Sequence, residues 1–534
     1  MRDRLQWAFI LAFCSLVLAL LMQGPQWLHQ QSSLAQGIAV HLNSDEAIYL
    51  ARIEEALTGR PEQSAEAFTG HPNLVGTQFA MLERFYGALF RFTGWRAPAV
   101  QTFLDVAIPV LVFLSLVFFF RLQGFSRNVS LLAAAFFCLL QLYNLNRPIH
   151  MRSSFLVMLW GLIFIQLALR SCRWWVIPAG IVLGTLVGVY VWSFMFAWAF
   201  WGSFVVWEFV DRKEKRFGIL FLIGCIGLIS ATPFILQYIA LSHHPLYDYG
   251  SYRSGMHLGR RPESIIYSLL FGIALVSSVL AHRDSYEKLR PYRSAFALLL
   301  AAFVYMNQQI IHGTVFNFVS HGIFSLLLAA LSVTLVFIVT REKWLLIGAA
   351  ALCVYMAAIG YDGRYVFGQW EVKDSDFENQ YFAEMLPALD ILPRGRILSD
   401  PETESFIASN THHDIVYSIY LKNVLMTHRE IALRYCLTQL PLRPEQRHIR
   451  ETEHLVMPDA VSALKSDTRM QEVALVESAC AELDLDPSLA LQTFDVSHVL
   501  WNKVAAPNWN VRRLRCHLTE IASGEHFVLY RIDQ

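Results

Sequence analysis

Two adjacent acids, Asp45 and Glu46, open the stretch NSDEAIYLARIEEALTG (Asn43 to Gly59), which follows the first apolar run of the chain. A carboxylate there meets both water and a lipid-borne substrate, where it can take a proton or help hold a metal. The same residues also fit a helix start. Asn43 with Glu46 three residues on resembles a capping box, and acids in a first turn interact favourably with the helix dipole. Two basic clusters stand further along: Arg147, His150 and Arg152 in YNLNRPIHMRSS, and Arg253, His257, Arg260 and Arg261 in YRSGMHLGRR. The guanidinium fork suits phosphate, although each side chain taken singly also fits a solvated surface base. The stretch MNQQIIHGTVFNFVSH crowds Asn307, Gln308, Gln309, His312, Asn317 and His321 at the ends of two apolar runs. Such groups either line a wet cavity or bond one helix to another. Asp105 is a second carboxylate for the same site or a hydrated interface residue, and His71 has no assignable partner.

The elements that must carry these residues follow from composition. The chain has 534 residues, of which 55% are hydrophobic and 16% charged, too apolar for an ordinary soluble domain. Lys plus Arg equals Asp plus Glu at 43 each, so bulk charge gives no argument for nucleic-acid binding. After the first run at 7–23, runs near the roughly 20 residues that cross a bilayer fall at about 100–121, 128–144, 153–170, 174–191, 193–210, 217–240, 264–281, 293–311, 321–340 and 343–361. Eleven transmembrane helices are expected. The first run is read as an uncleaved span, with a signal peptide as the rival because Ser33 and Ala35 offer small residues for cleavage.

With a cytoplasmic N-terminus, every inner connection is basic, including DRKEKR at 211–216 and HRDSYEKLRPYR at 282–293, while 191–193 and 312–320 hold no Lys or Arg. That is the positive-inside pattern. The expected domains are a transmembrane body, 1–361, and an extracytoplasmic α/β domain, 362–534. The body includes a large outer loop at 24–99, whose two amphipathic helices are expected to lie in the membrane interface. In the C-terminal domain PRGRILSD, DVSHVLW and HFVLYRI read as strands, and SDFENQYFAEMLPALDIL and stretches around 415–440 and 455–483 as helices. Cys436, Cys480 and Cys516 allow one disulfide there with one thiol left over.

This layout, a first span, an acidic outer loop, many further spans and an outer C-terminal domain, resembles the integral-membrane glycosyltransferases of the GT-C class. That superfamily includes oligosaccharyltransferases, protein O-mannosyltransferases and lipid A aminoarabinose transferases. SDEAIYLARIEEALTG is similar to their acidic first-loop motif, MNQQIIHGTVFNFVSH to a polar segment of some bacterial members, and RILSDPETESFIASNT to the start of their outer domain. The resemblance implies a GT-C-like fold in a bacterial inner membrane. It also implies transfer of a sugar from a polyprenyl-phosphate carrier to a glycan, lipid or protein acceptor on the outer face, in some branches with Mg2+ or Mn2+. Asp45 is then the general base, with Glu46 supporting it or sharing a metal with it. The leaving phosphate would be met by Arg147, His150, Arg152, Arg253, Arg260 and Arg261, beside Asn307, Gln308 and His321.

Two other classes remain open. A transporter or flippase of lipid-linked glycans would place ionisable groups near mid-membrane, whereas here they gather near the ends of the runs. A non-catalytic membrane scaffold would keep the layout with Asp45 and Glu46 acting only as a helix cap.

Overall fold

The computed structural model describes residues 2–40, 46–59, 76, 79–146, 149–170, 172–210, 214–253, 256–262, 264–316, 319–361, 370–372, 377, 379–447, 449 and 466–533. In chain order the longer helices are α1 (Arg2–Gln30), α2 (Glu46–Leu57), α3 (Met81–Phe90), α4 (Ala97–Leu122), α5 (Arg127–Leu140), α6 (Ile149–Arg170), α7 (Val176–Val189), α8 (Val191–Val210), α9 (Glu214–Ser242), α10 (Tyr247–Arg253), α11 (Ile265–Leu289), α12 (Arg293–Asn307), α13 (Ile323–Thr340), α14 (Lys343–Tyr361), α15 (Pro401–Asn410), α16 (His428–Gln439) and α17 (Ser466–Leu485). Every one of the eleven expected apolar runs falls on a helix. Among the described residues, seven stretches are long and apolar enough to cross a membrane by length and composition, and one of them, Ile265–His312, takes in both α11 and α12. Arg127–Leu140 and Arg173–Val189 are shorter apolar helices. The chain is a multi-pass membrane protein.

Backbone contacts divide it into two compact units. The first comprises Met1–Pro25, Phe103–Ala240 and His257–Glu371; the second comprises Gln26–Thr102, Leu241–Met256 and Val372–Gln534. In the first, α13 is the most enclosed span, with 83% of its apolar window buried. Gly180, Gly184 and Gly188 of α7 recur every four residues, and a Cβ on any of them would strike α9. This is the small-residue packing by which helices associate where lipid offers no hydrophobic drive. The expected tight junction near Trp192 is a single residue: α7 ends at Val189, α8 begins at Val191, and Tyr190 between them is extended (φ −165°, ψ 121°).

The second unit contains a five-stranded sheet of β1 (Arg396–Leu398), β2 (Asp414–Ile415), β3 (Val496–Asn502), β4 (His517–Ser523) and β5 (Phe527–Asp533). Its order is β2-β1-β3-β5-β4, with β1 parallel to β2 and β3 and the remaining pairs antiparallel. The three expected strands are present. The expected helix over SDFENQYFAEMLPALDIL is instead a 3-10 turn, Gln380–Glu384, followed by a short helix, Leu386–Ile391, with Pro387 in its first turn. Proline lacks the N–H that would continue a helix through it. Cys436 and Cys480 form the one disulfide, and Cys516 keeps its thiol.

Helix α2 departs from the expected interfacial position. Ten of its twelve residues are buried, and Ala47, Ile48 and Ala51 join one apolar cluster with Ile397, Phe406, Ile407, Val499 and Leu500. Helix α2 is therefore built into the same core as the C-terminal sheet. Helix α3 does expose apolar side chains, with Phe85 at 60% and Leu89 at 55%.

Candidate functional site at the polar end of the bundle

In the first unit the polar residues gather at the helix ends opposite the basic connections. His150 lies in the first turn of α6, Asn307 ends α12, His321 precedes α13, and Tyr190 joins α7 to α8. The Tyr190 hydroxyl hydrogen-bonds His321 Nδ1. The buried His150 ring meets the edge of the Tyr190 ring with centroids 6.1 Å apart, and Trp192 stacks on His321 at 4.7 Å. One turn after His150 on the same helix face, Ser154 accepts a hydrogen bond from Ser193 of α8 at 3.0 Å. Two of the expected stretches, 147–152 and 306–321, thus meet through Tyr190.

Arg152 turns to another neighbour. It is fully buried, donates to the Leu145 carbonyl at 3.0 Å and forms an ion pair with Asp105 of α4. A charge so deep persists only when paired and hydrogen-bonded. The expected second carboxylate and the expected phosphate ligand are therefore each other's partner.

The polar stretch is largely satisfied by its own helices. Asn307 Nδ2 donates to Phe303 O at 2.8 Å and Gln309 Nε2 to Met306 O at 2.9 Å, while Gln308 Nε2 reaches Met195 Sδ of α8 at 2.9 Å. Arg260 donates to the carbonyls of Ile310 and Ile311 at 2.8 and 3.0 Å, and Arg261 is exposed. Those carbonyls belong to the short helix Gln309–His312, which closes on Gly313 at φ +79°, a conformation glycine adopts without strain.

Asp45, Arg147, Asn317 and His71 lie outside the described residues, as does Asn43, the other half of the expected capping box. In the second unit, Glu46 is the first residue of α2 and 8% exposed. Arg253 departs from the expected anion-facing position. It is fully buried in that unit and donates to Met426 O at 2.7 Å and Val424 O at 2.5 Å, and burial lowers its pKa to about 10.

Beyond Glu46, helix α2 brings a charge set that the sequence did not single out. Arg52 pairs with Glu83 of α3 at 2.9 Å with both side chains almost wholly buried, and Glu54 Oε2 accepts the Ala97 N–H, the first of α4, at 2.9 Å. Glu55 is 2% exposed. The signal was present in IEEAL, where two acids interrupt a segment otherwise fit for a core. Tyr190 and Ser193 were also missed, although both are polar groups in the aromatic stretch where two spans share a junction.

Among the described residues no group of three or more His, Cys, Asp or Glu side chains could hold a metal ion. Glu46 alone of the expected metal pair is described, and no step is assigned to a metal.

No family model matches the chain, and no curated protein matches it. Solved structures to which it is similar include ArnT from Cupriavidus metallidurans bound to undecaprenyl phosphate, at 12% identity and TM-score 0.46 over 98% of each chain. An oligosaccharyltransferase from Archaeoglobus fulgidus tethered with an acceptor peptide matches at 14% identity and TM-score 0.47, over 98% of this chain and 74% of that one. AglB from the same organism, in complex with an inhibitory peptide and a dolichol-phosphate, matches at 13% identity and TM-score 0.46, over 99% and 74%. Likeness at this level carries no argument about reaction or residues.

Proposed function

We propose that the chain is a membrane glycosyltransferase that moves a sugar from a polyprenyl-phosphate carrier to a hydroxyl of a glycan, lipid or protein acceptor at the outer membrane face. The observation that supports this reading most is the gathering of Asp105, His150, Arg152, Tyr190 and His321 at one end of the bundle, with no Asp, Glu, Lys, Arg or His midway along the described spans. Groups placed at one end suit chemistry at a surface, whereas passage of a substrate calls for them along a path through the membrane.

In the proposed reaction Asp45 takes the acceptor proton as the acceptor attacks the anomeric carbon. The bond from that carbon to the carrier phosphate breaks, and the phosphate leaves with the electron pair. A phosphate is a good leaving group, so one base suffices where a glycosidase pairs two carboxyls. Negative charge grows on the leaving phosphate, and preorganised donors in a dry site stabilise it. Within the first unit, the Tyr190 hydroxyl and the imidazoles of His150 and His321 are candidates for such donors, and the Arg152–Asp105 pair ties α6, which carries His150, to α4. Glu46, at the start of α2, supports Asp45.

Asp45→Asn tests the reading. The variant is expected to insert and fold normally while transfer from a polyprenyl-phosphate sugar drops by roughly 10²–10⁴-fold, the usual worth of a general base. Full activity removes Asp45 from the mechanism. Movement of the lipid-linked sugar across proteoliposomes without a new glycosidic bond replaces the transferase reading with a transporter.

A further inference from the structure

The second unit carries an apolar surface that the proposed reaction does not use. Helix α3 buries Leu82, Glu83, Tyr86, Gly87 and Phe90 and turns its other side outward. Phe85 and Leu89 stand four residues apart on that open side, and Phe92, in the turn after the helix, continues their row at 80% exposure. Arg84 and Arg91, both exposed, form a basic row beside it, and the Arg91 guanidinium lies 4.6 Å from the Phe92 ring centroid. The helix is held from behind, because Arg52 of α2 pairs with Glu83 on its buried side.

The surface extends beyond α3. Trp95, 42% exposed, stacks on Phe90 with ring centroids 5.7 Å apart, which fixes it at the end of the helix. Arg96, the next residue, pairs with Asp390 and donates to the Asn410 carbonyl, each at 2.7 Å. Ile391, directly after Asp390, is 82% exposed. One ion pair thus brings the end of the short helix Leu386–Ile391 to the chain that leaves α3.

What covers this surface follows from the next element. Ala97 begins α4, whose 26 residues are long and apolar enough to cross a membrane. At 1.5 Å per residue α4 is about 39 Å long, so it reaches past the roughly 30 Å hydrocarbon core into the headgroup layers. Five residues of chain cannot carry Phe92 more than roughly 18 Å from Ala97. Exposed rings with a basic row beside them, that close to the end of a span, have the composition of helices that lie in a bilayer interface. Phospholipid answers both rows at once, with acyl chains against the rings and phosphates against the guanidiniums.

We propose that α3 and the turn after it lie in the phospholipid interface, with Phe85, Leu89, Phe92, Trp95 and Ile391 at the acyl boundary and Arg91 on the headgroup phosphates. The surface docks the second unit against the bilayer. It stands apart from the sugar-transfer reading, because none of its residues takes part in that reaction.

The full chain, reconstituted in phospholipid vesicles, tests this with a fluorescent thiol label. In a background whose six free cysteines are replaced by alanine and whose Cys436–Cys480 bridge is kept, Phe92→Cys and Ile391→Cys are labelled in turn. Lipids carrying a nitroxide just below the headgroup should quench each label by about half, and more strongly than lipids carrying it at the chain end, as for side chains roughly 5–10 Å into the boundary. Ile229→Cys, midway along α9 and exposed, should show the reverse order when labelled. Phe85→Ser with Leu89→Ser should reduce the quenching at Phe92 about twofold, without moving the melting temperature, because both side chains are already exposed. Arg91→Glu should reduce it as well, and Arg91→Lys should preserve it. Quenching by aqueous iodide in place of lipid would show an open surface, and shielding from both would assign it to a second copy or another protein; either result overturns the proposal. Undiminished quenching in the double serine variant or in Arg91→Glu overturns it too.

Discussion

At the residue scale the Arg152–Asp105 pair decides how much of the polar end is structure and how much is site. Arg152 is fully buried, so replacing its partner leaves an uncompensated charge, whereas replacing both removes the problem. Asp105→Asn is expected to cost about 3 kcal/mol, the lower part of the range for breaking a buried pair, because Asp105 retains 20% exposure. Adding Arg152→Met should recover most of that loss in thermal unfolding; no recovery would mean that the pair is not what fixes α4 to α6. Both residues were legible in the sequence as polar groups near the ends of apolar runs. Their pairing was not, because spacing along a chain says nothing about which distant helix a buried charge meets. His413 in the second unit carries a pH dependence. Its Nδ1 accepts the Gly395 N–H at 3.2 Å and its Nε2 faces the Leu389 carbonyl at 2.9 Å, so the neutral ring with its proton on Nε2 satisfies both. Burial lowers its pKa from 6.5 to about 4. Between those values the unfolded chain binds the extra proton and the folded chain does not, so the contribution of His413 is present above about pH 6.5 and is lost as pH falls towards 4. Glu404, its carboxyl raised by burial while it accepts the Ser399 and Tyr417 N–H groups, contributes in the opposite sense. Comparing wild type with His413→Gln isolates the histidine: the difference in melting temperature should narrow from pH 7 to pH 5, and a constant difference would remove His413 as the cause.

At the element scale α2 shows where reading a pattern stops. Its apolar spacing marks a helix, and helix it is. The pattern implied a wet face at Arg52, Glu54 and Glu55, but these are buried because each charge has a specific use: Arg52 pairs with Glu83, and Glu54 caps α4. Amphipathicity locates an apolar stripe without revealing that the polar face is covered too. The contact that closes α2 onto α3 is unusually tight. A Cβ on Gly87 would come within 2.6 Å of the Ala56 Cβ and 2.7 Å of the Ala56 backbone. Gly87→Val should therefore force the helices apart and strain the buried Arg52–Glu83 pair, at a cost of about 1–3 kcal/mol by analogy with overpacked cores. Ala56→Gly should rescue it only in part, because the backbone contact remains. Thermal unfolding with intrinsic fluorescence would read both, and an unperturbed Gly87→Val would show that this interface has room to spare.

At the scale of the whole molecule, the spans were legible because a bilayer demands roughly 20 apolar residues in a row, and no other context produces so many such runs. The grouping of residues 26–102 and 241–256 with 372–534 had no comparable signal, since contacts between segments hundreds of residues apart leave no mark on local composition. The cysteines connect the two kinds of information. Cys436 and Cys480 join α16 to α17 across 44 residues and are both buried, while Cys516 is half-buried and free. A structural disulfide in a bacterial or other mesophilic protein belongs to an oxidising compartment. By the positive-inside pattern, the basic connections of the spans are independently expected in the cytoplasm, which would put residues 372–534 on the opposite side. The two arguments share no residue, so they can fail separately. Cys436→Ser with Cys480→Ser is expected to lower stability by about 2–4 kcal/mol, the usual contribution of a bridge closing a loop of this length. In intact cells, a membrane-impermeant maleimide should label neither cysteine of the bridge until a reductant and denaturant are added. A reporter enzyme that is active only after export, fused after Gln534, should be active. An inactive fusion together with an intact bridge would put the second unit in the cytoplasm, and with it would go the premise that Asp45 works at the outer face.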